Sequence, residues 1–185
     1  DSTFFHAGLP GVINAIYNDH DITLVVMLND TTAMTGHQDH PGTGKTTRGE
    51  GTKITVRSVL EGLGVRHLSE TDTYNQKRLG ELVKEAMDFE GFSVVIARHP
   101  CMLKFTRDRR KAGKGIVSQA RIDQETCRQI HPCLELFACP SFVRHPGGGV
   151  TVHPDLCIGD GSCLQTCPVQ AIELVATGEK GEKGK

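Results

Sequence analysis

At 185 residues, with 37% apolar residues and a net charge of −1, the chain can hold one medium domain or a medium and a small one, and it lacks the basic field that nucleic acid demands. Its one basic stretch, Lys104 to Lys114, is short and broken by Asp108, which reads as a solvated segment rather than a phosphate-binding patch. No apolar run approaches the roughly 20 residues of a membrane span, so neither nucleic acid nor membrane is expected as a partner.

From Phe4 to Tyr17 the apolar residues Phe5, Leu9, Val12, Ile13, Ile16 and Tyr17 keep a helical period. Pro10 is tolerable only near a helix start, so an irregular first turn is expected. The run ITLVVML, Ile22 to Leu28, is continuous, apolar and rich in β-branched residues, which predicts a strand buried on both faces of a parallel sheet. A loop carrying Gly36, Pro41, Gly42 and Gly44 follows. A helix over Ser58 to Leu63, a strand over Val65 to Leu68, a helix over Gln76 to Phe89 and a strand over Phe92 to Ala97 then alternate. That order predicts an α/β unit with a parallel sheet.

After Arg107 helical and strand periods give way to Gly, Pro and Cys, and the domain boundary is expected near residues 108 to 116. The reading divides the chain into 1–112, 113–176 and a charged, low-complexity tail, 177–185 (TGEKGEKGK), of the composition that stays disordered. The chain starts at Asp1 with no methionine or signal-peptide pattern, which points to a piece of a longer protein. Six of the seven cysteines lie in the last third. Clustering of that kind points to a metal site in a reducing compartment rather than a disulfide scaffold, and the expected location is cytoplasmic.

The cysteines repeat. Cys127 and Cys157 lie 30 residues apart, as do Cys133 and Cys163, and Cys139-Pro140 precedes Cys167-Pro168 by 28. The lead-ins ARIDQETC (120–127) and VTVHPDLC (150–157) match. Two copies of a Cys-rich loop imply a pseudo-twofold mini-domain. Bacterial-type ferredoxins bind clusters with C-x2-C-x2-C-x3-C-P, the fourth cysteine serving the other cluster.

Copy two reads Cys157-x2-Asp160-x2-Cys163-x3-Cys167-Pro168, and copy one Cys127-x2-Ile130-x2-Cys133-x5-Cys139-Pro140. Each lacks its second cysteine. Asp160 is a carboxylate able to ligate iron; Ile130 can ligate nothing. Crossed ligation gives one set of Cys157, Asp160, Cys163 and Cys139, and a second of Cys127, Cys133 and Cys167, one short. One [4Fe–4S] centre is expected, with the other site [3Fe–4S]-like, completed from outside, or empty. Zinc prefers C-x2–4-C pairs, which these five-residue gaps fit poorly. His131 and His153 read as surface residues, and Cys101 as a buried thiol or a substrate-side residue.

In the first part the informative stretches are DSTFF (1–5) and LNDTTAMTGHQ (28–38). An acidic residue and an Asn at the ends of successive strands can share a hard divalent cation such as Mg²⁺. The helix after Asp1 would offer its amides to a phosphate. Asp followed by Ser-Thr is equally a helix cap, and both readings stand.

Taken together, TTAMTGHQ (31–38), PGTG (41–44) and the two-copy cysteine module make the chain similar to a known family. Up to about residue 176 it resembles the C-terminal segment of indolepyruvate ferredoxin oxidoreductase alpha subunits. Thiamine diphosphate enzymes carry a G-D-G/S motif and, further on, an Asn; Asp1-Ser2 and Asn29 fit if a Gly precedes Asp1. The chain departs from the family at Leu28, often Asp there, and at Ile130 and Asp160.

The resemblance implies an α/β, parallel-sheet thiamine diphosphate-binding domain, incomplete at its N-terminus, followed by a small ferredoxin-like α+β iron–sulfur domain. It implies Mg²⁺ held by Asp1, Asn29 and the Thr31 carbonyl, with backbone groups of Ser2 and Thr3 on the diphosphate. The expected activity is oxidative decarboxylation of arylpyruvates with coenzyme A as acyl acceptor and external ferredoxin as electron acceptor, in complex with a beta subunit. A catalytic Glu is expected from an upstream domain, so neither Glu50 nor Glu70 is assigned that role, and the segment by itself is expected to be inactive. A pyruvate- or 2-oxoglutarate-type ferredoxin oxidoreductase and a non-catalytic electron-transfer module are the alternatives.

Overall fold

Behind Asp1 the chain turns through a π-helical segment, Phe4–Gly8, into α1, Leu9–Tyr17, with Pro10 in its first turn. A ring without an N–H is harmless there, and the expected irregularity takes the form of the π-turn. The structure, a computed structural model, describes residues 1–115 and 118–177. It divides into two units, Asp1–Lys104 and Phe105–Lys185; residues 178–185 of the expected disordered tail lie outside the described part.

In the first unit β1 (Thr23–Leu28) is followed by a two-residue hairpin, β2 (Lys45–Thr46) with β3 (Gly49–Glu50), and by α2 (Val56–Gly62). Then come β4 (His67–Asp72), α3 (Gln76–Met87), β5 (Ser93–Arg98) and α4 (Met102–Lys111). The main sheet has the order β1-β5-β4, all parallel. Side chains alternate across β5. Val94 and Ile96 join Phe4, Val12, Val26, Val56 and Leu60 on one face, while Val95 meets Leu82 and Ala86 of α3 on the other. Helices cover both faces of the sheet, which is the α/β arrangement expected.

The strand buried on both sides is β5, not β1. In β1 only Val26 is buried, and Val25 and Met27 are exposed. Among the described strands β1 has one neighbour, so its apolar run was a poor guide to its place in the sheet. The strand read over Val65 to Leu68 instead spans His67–Asp72: parallel pairing of His67 with Ser93 through Asp72 with Arg98 carries the polar SETD residues along. α2 begins at Val56 because the Thr55 side chain accepts the Ser58 amide as an N-cap. α3 ends at Met87, short of Phe89.

In the second unit strands exist where the sequence showed no period. β6 (Ser118–Ile122) pairs antiparallel with β9 (Ile172–Ala176), and β7 (Phe142–Arg144) with β8 (Val150–Val152). Each copy of the repeat is therefore strand, Cys loop, helical turn, strand. The turns are α5 (Pro132–Glu135) and a 3-10 segment, Ser162–Thr166. The first strand of each copy pairs with the last strand of the other, giving the pseudo-twofold plan. These strands are short and thread a core made largely of thiols and small residues, so no apolar alternation marks them.

Candidate functional site

At the carboxyl end of β1 the chain presents Asn29, Asp30 and Thr31, and Asp1 comes to meet them. The Asp1 backbone nitrogen donates to the Met27 carbonyl at 2.7 Å along the free edge of β1. Its carboxylate Oδ2 accepts the amides of Asn29 at 3.1 Å and Asp30 at 2.8 Å, and Oδ1 accepts the Ser2 amide at 2.8 Å. The Asp1 carbonyl accepts the Phe5 amide. Asp1 is thus a helix cap and a strand-edge anchor together.

Ser2 and Thr3 stand in the first helical turn, where amides lack intrahelical partners. The Asn29 side-chain oxygen accepts the Thr31 amide at 3.2 Å, and Thr31 is buried. The five residues singled out in this unit, Asp1, Ser2, Thr3, Asn29 and Thr31, fall at one end of the sheet. Their donors toward a cation are all oxygen: a carboxylate, an amide oxygen and a main-chain carbonyl. That set fits Mg²⁺.

Carboxyl ends of parallel strands are where open α/β sheets bind ligands. Two further features lie there that the sequence reading passed over. His40 is buried, its Nε2 3.2 Å from Asp1 Oδ2; burial first, then nearby positive charge, holds the imidazole below its ordinary pKa. Cys101 donates its amide to the Asn29 carbonyl and sets its Sγ 3.6 Å from His37 Nε2. The signal for His40 was its place before Pro41, where a polar side chain can cap the following turn; the Cys101–His37 contact, 64 residues apart in sequence, left no local sign.

In the second unit all six cysteines, together with Cys101, are free thiols. Cys133, Cys157 and Cys163 lie in the core, with Cys127, Cys139 and Cys167 packed against it. Burial first, then Asp160, pushes the Cys163 thiol up to about 11, with Cys157 and Cys139 acting in the same direction. Burial also pushes Cys133 up, helped by Cys127 and Cys167. The structure therefore gathers Cys139, Cys157, Asp160 and Cys163 around one locus and Cys127, Cys133 and Cys167 around another. The second set lines a cavity whose rim includes Ile130, which cannot ligate.

No group of three or more His, Cys, Asp or Glu among the described residues is placed to hold a single metal ion. That argues against zinc. A cluster ligates each thiolate to a different iron, so wider spacing is what it calls for. Soft thiolates in two sets suit iron–sulfur chemistry, and each thiol must lose its proton to bind.

The loops share backbone geometry as well as spacing. Gln129 and Gly159 have φ of 56° and 69°, and His131 and Gly161 of 57° and 76°; both pairs are 30 residues apart. His131 is not a bare surface residue, since its Nε2 bonds the Gly148 carbonyl at 2.7 Å. No helix among the described residues is long and apolar enough to cross a membrane.

Comparison with known proteins agrees with this division. Residues 1–97 match the family model described as the C-terminal TPP binding domain of thiamine pyrophosphate enzymes, and residues 150–173 match the 4Fe-4S binding domain. The chain is 39% identical to "Indolepyruvate oxidoreductase subunit IorA" of Archaeoglobus fulgidus over 94% of its own length and 27% of the relative's. Proteins of the same name from Pyrococcus abyssi and Thermococcus kodakarensis are 39% and 38% identical, each over 97% of this chain and 28% of the relative. The chain spans about a quarter of the length of these curated relatives.

Proposed function

The chain belongs to the thiamine pyrophosphate enzymes, and from that premise we propose that it is part of a subunit that oxidatively decarboxylates an aryl 2-oxo acid, indolepyruvate, to its acyl-CoA. External ferredoxin takes the electrons. The names of its relatives support the substrate class. The observation that carries the reading is the Asp1 carboxylate, pinned by the Asn29 and Asp30 amides at the sheet's carboxyl end, in the same polypeptide as two gathered sets of thiols.

In this reading Asp1, the Asn29 side chain and the Thr31 carbonyl hold Mg²⁺, and backbone groups of Ser2 and Thr3 hold the diphosphate. When bound, thiamine diphosphate supplies the carbanion stabilisation that loss of CO₂ requires, and iron–sulfur clusters accept electrons one at a time. The protein's own part is positional. Backbone amides of the β1 loop keep the Asp1 carboxylate in one rotamer, and α1 runs away from the diphosphate so that its N-terminal end faces the anion. Cys139, Cys157, Asp160 and Cys163 hold one [4Fe–4S] cluster; Cys127, Cys133 and Cys167 form an incomplete second site. A beta subunit completes the enzyme, which works in the cytoplasm.

The test is anaerobic reduction of a low-potential dye by the full-length complex with coenzyme A, comparing indolepyruvate with pyruvate and 2-oxoglutarate. Faster turnover with indolepyruvate supports the reading. Preference for pyruvate or 2-oxoglutarate overturns the substrate, and complex that purifies colourless overturns the electron path.

A further inference from the structure

We propose that His40 is a positioning residue for the Asp1 carboxylate, holding Oδ2 through its Nε2–H so that Oδ1 is the oxygen left for a cation. This rests on the reading of Asp1 as a magnesium ligand.

The ring's orientation is fixed. His40 is the N-cap of the 3-10 turn Pro41–Thr43, and its Nδ1 accepts the Gly42 amide at 3.1 Å. A nitrogen that accepts carries no proton, so in the neutral ring the proton is on Nε2. Phe5 stacks on the imidazole with centroids 5.7 Å apart and planes at 30°. A Cβ on Gly42 would come within 2.9 Å of His40 Cε1 and 3.0 Å of Phe5 Cε2, so the glycine leaves the ring its place. Cap, stack and glycine clamp the imidazole from three sides.

The clamped ring aims its other nitrogen at Asp1. Nε2 lies 3.2 Å from Oδ2, and both side chains are sealed from solvent, at 0% and 3% exposure. The contact is off the line of a full hydrogen bond, and Nε2 has no other partner. A buried donor is not left without a purpose at no cost. Counting acceptor capacity shows what that purpose is. A carboxylate has about four lone-pair sites, two on each oxygen. Oδ2 faces the Asn29 and Asp30 amides and His40, while Oδ1 takes the Ser2 amide. Free capacity remains on Oδ1.

A neutral donor suits this task where Lys or Arg would not. It orients the carboxylate without cancelling the charge that attracts a cation. Outer-shell partners of ligating carboxylates act in this way on metal affinity.

The two nitrogens of His40 can be tested apart. Asn in its place keeps an acceptor near Nδ1 for the Gly42 amide but cannot reach Asp1. Gln places an amide N–H near Nε2 and gives up the cap. Full-length complex is stripped of metal by chelation, then titrated with Mg²⁺ at saturating thiamine diphosphate and followed by calorimetry, with the melting point of the metal-free protein recorded alongside. His40→Asn is expected to raise the Mg²⁺ dissociation constant roughly 10- to 100-fold while melting like the wild type. His40→Gln is expected to melt lower and keep wild-type Mg²⁺ affinity. Wild-type affinity in His40→Asn overturns the proposal, and so does lost affinity in His40→Gln should the Asn variant not fold. A wild-type complex that binds no Mg²⁺ with thiamine diphosphate instead defeats the cofactor reading beneath it, and this inference with it.

Discussion

The Asp160 carboxylate accepts the Ser162 hydroxyl at 3.0 Å through one oxygen and 3.1 Å through the other. Ser162 also directs its amide to Oδ1 at 3.3 Å. The carboxylate is therefore oriented at the position where a ferredoxin loop carries its second cysteine, beside Cys163. Asp160→Cys is expected to keep the cluster and change its electron spin resonance signal, because a thiolate replaces an oxygen ligand and the iron's electron density rises. Anaerobic iron and sulfide analysis with spin resonance on the intact complex reads the result. An unchanged signal would remove Asp160 from the ligand set.

The equivalent loop positions Gln129 and Gly159 are both left-handed, yet they tolerate change differently. A Cβ on Gly159 would run into the Ser118 carbonyl, and the Ser118 hydroxyl already bonds the Gly159 carbonyl at 3.1 Å. Gly159→Ala is expected to cost at least about 2 kcal/mol from backbone strain and the clash together. Gln129→Gly relieves left-handed strain while adding unfolded-state entropy, and is expected to stay within about 1 kcal/mol of wild type. Denaturant melts of the two variants give the comparison; equal losses would mean that the loops are not packed alike.

What could be read from the sequence followed from spacing. The crossed sets of cysteines were legible because a repeat of 30 residues fixes which loops face each other, and Asp1 with Asn29 because a strand-to-helix junction followed by a second strand brings its ends together. What escaped was relation across the fold. The apolar run of β1 resembled a central strand, but burial depends on neighbours, and β5 holds the centre. β6 to β9 were hidden because their inward residues are alanine, cysteine and single valines rather than an apolar alternation. His40 escaped for another reason. Only the turn at Pro41–Thr43 and the Phe5 ring fix where its imidazole points, and neither is visible from its sequence neighbours.

Asp72 provides a pH test in the first unit. Its carboxylate accepts the Tyr74 amide at 2.7 Å and His99 Nδ1 at 3.0 Å, and Tyr74 stacks on the His99 ring with centroids 3.6 Å apart. The Tyr74 amide first, then His99, holds the Asp72 carboxyl below its ordinary value of 3.8. A carboxyl lowered in the folded state binds fewer protons there than when unfolded. Its contribution is present above that ordinary value and is lost as pH falls through the folded one. Being exposed, the pair is worth at most about 1 kcal/mol. Asp72→Asn is expected to be slightly less stable than wild type at pH 7, with the two stability curves converging in acid. A constant gap down to the lowest pH would show that charge plays no part.

Because the thiamine-binding residues and the thiols belong to separate compact units, loss of one centre should leave the other in place. Asp1→Ala removes the acceptor of the Asn29, Asp30 and Ser2 amides as well as the proposed carboxylate ligand. Calorimetry on the full-length complex is expected to show no Mg²⁺-dependent binding of thiamine diphosphate, while iron and acid-labile sulfide per complex stay at the wild-type level. The melting transition of the first unit should fall by about 1–3 kcal/mol, the usual result of leaving buried amides without a partner. Asp1→Asn sharpens the test: its amide oxygen can still accept from the loop amides, so folding is largely retained, but without the negative charge Mg²⁺ binding should still be lost. Wild-type cofactor binding in Asp1→Asn would make Asp1 a structural cap alone and move the metal site elsewhere.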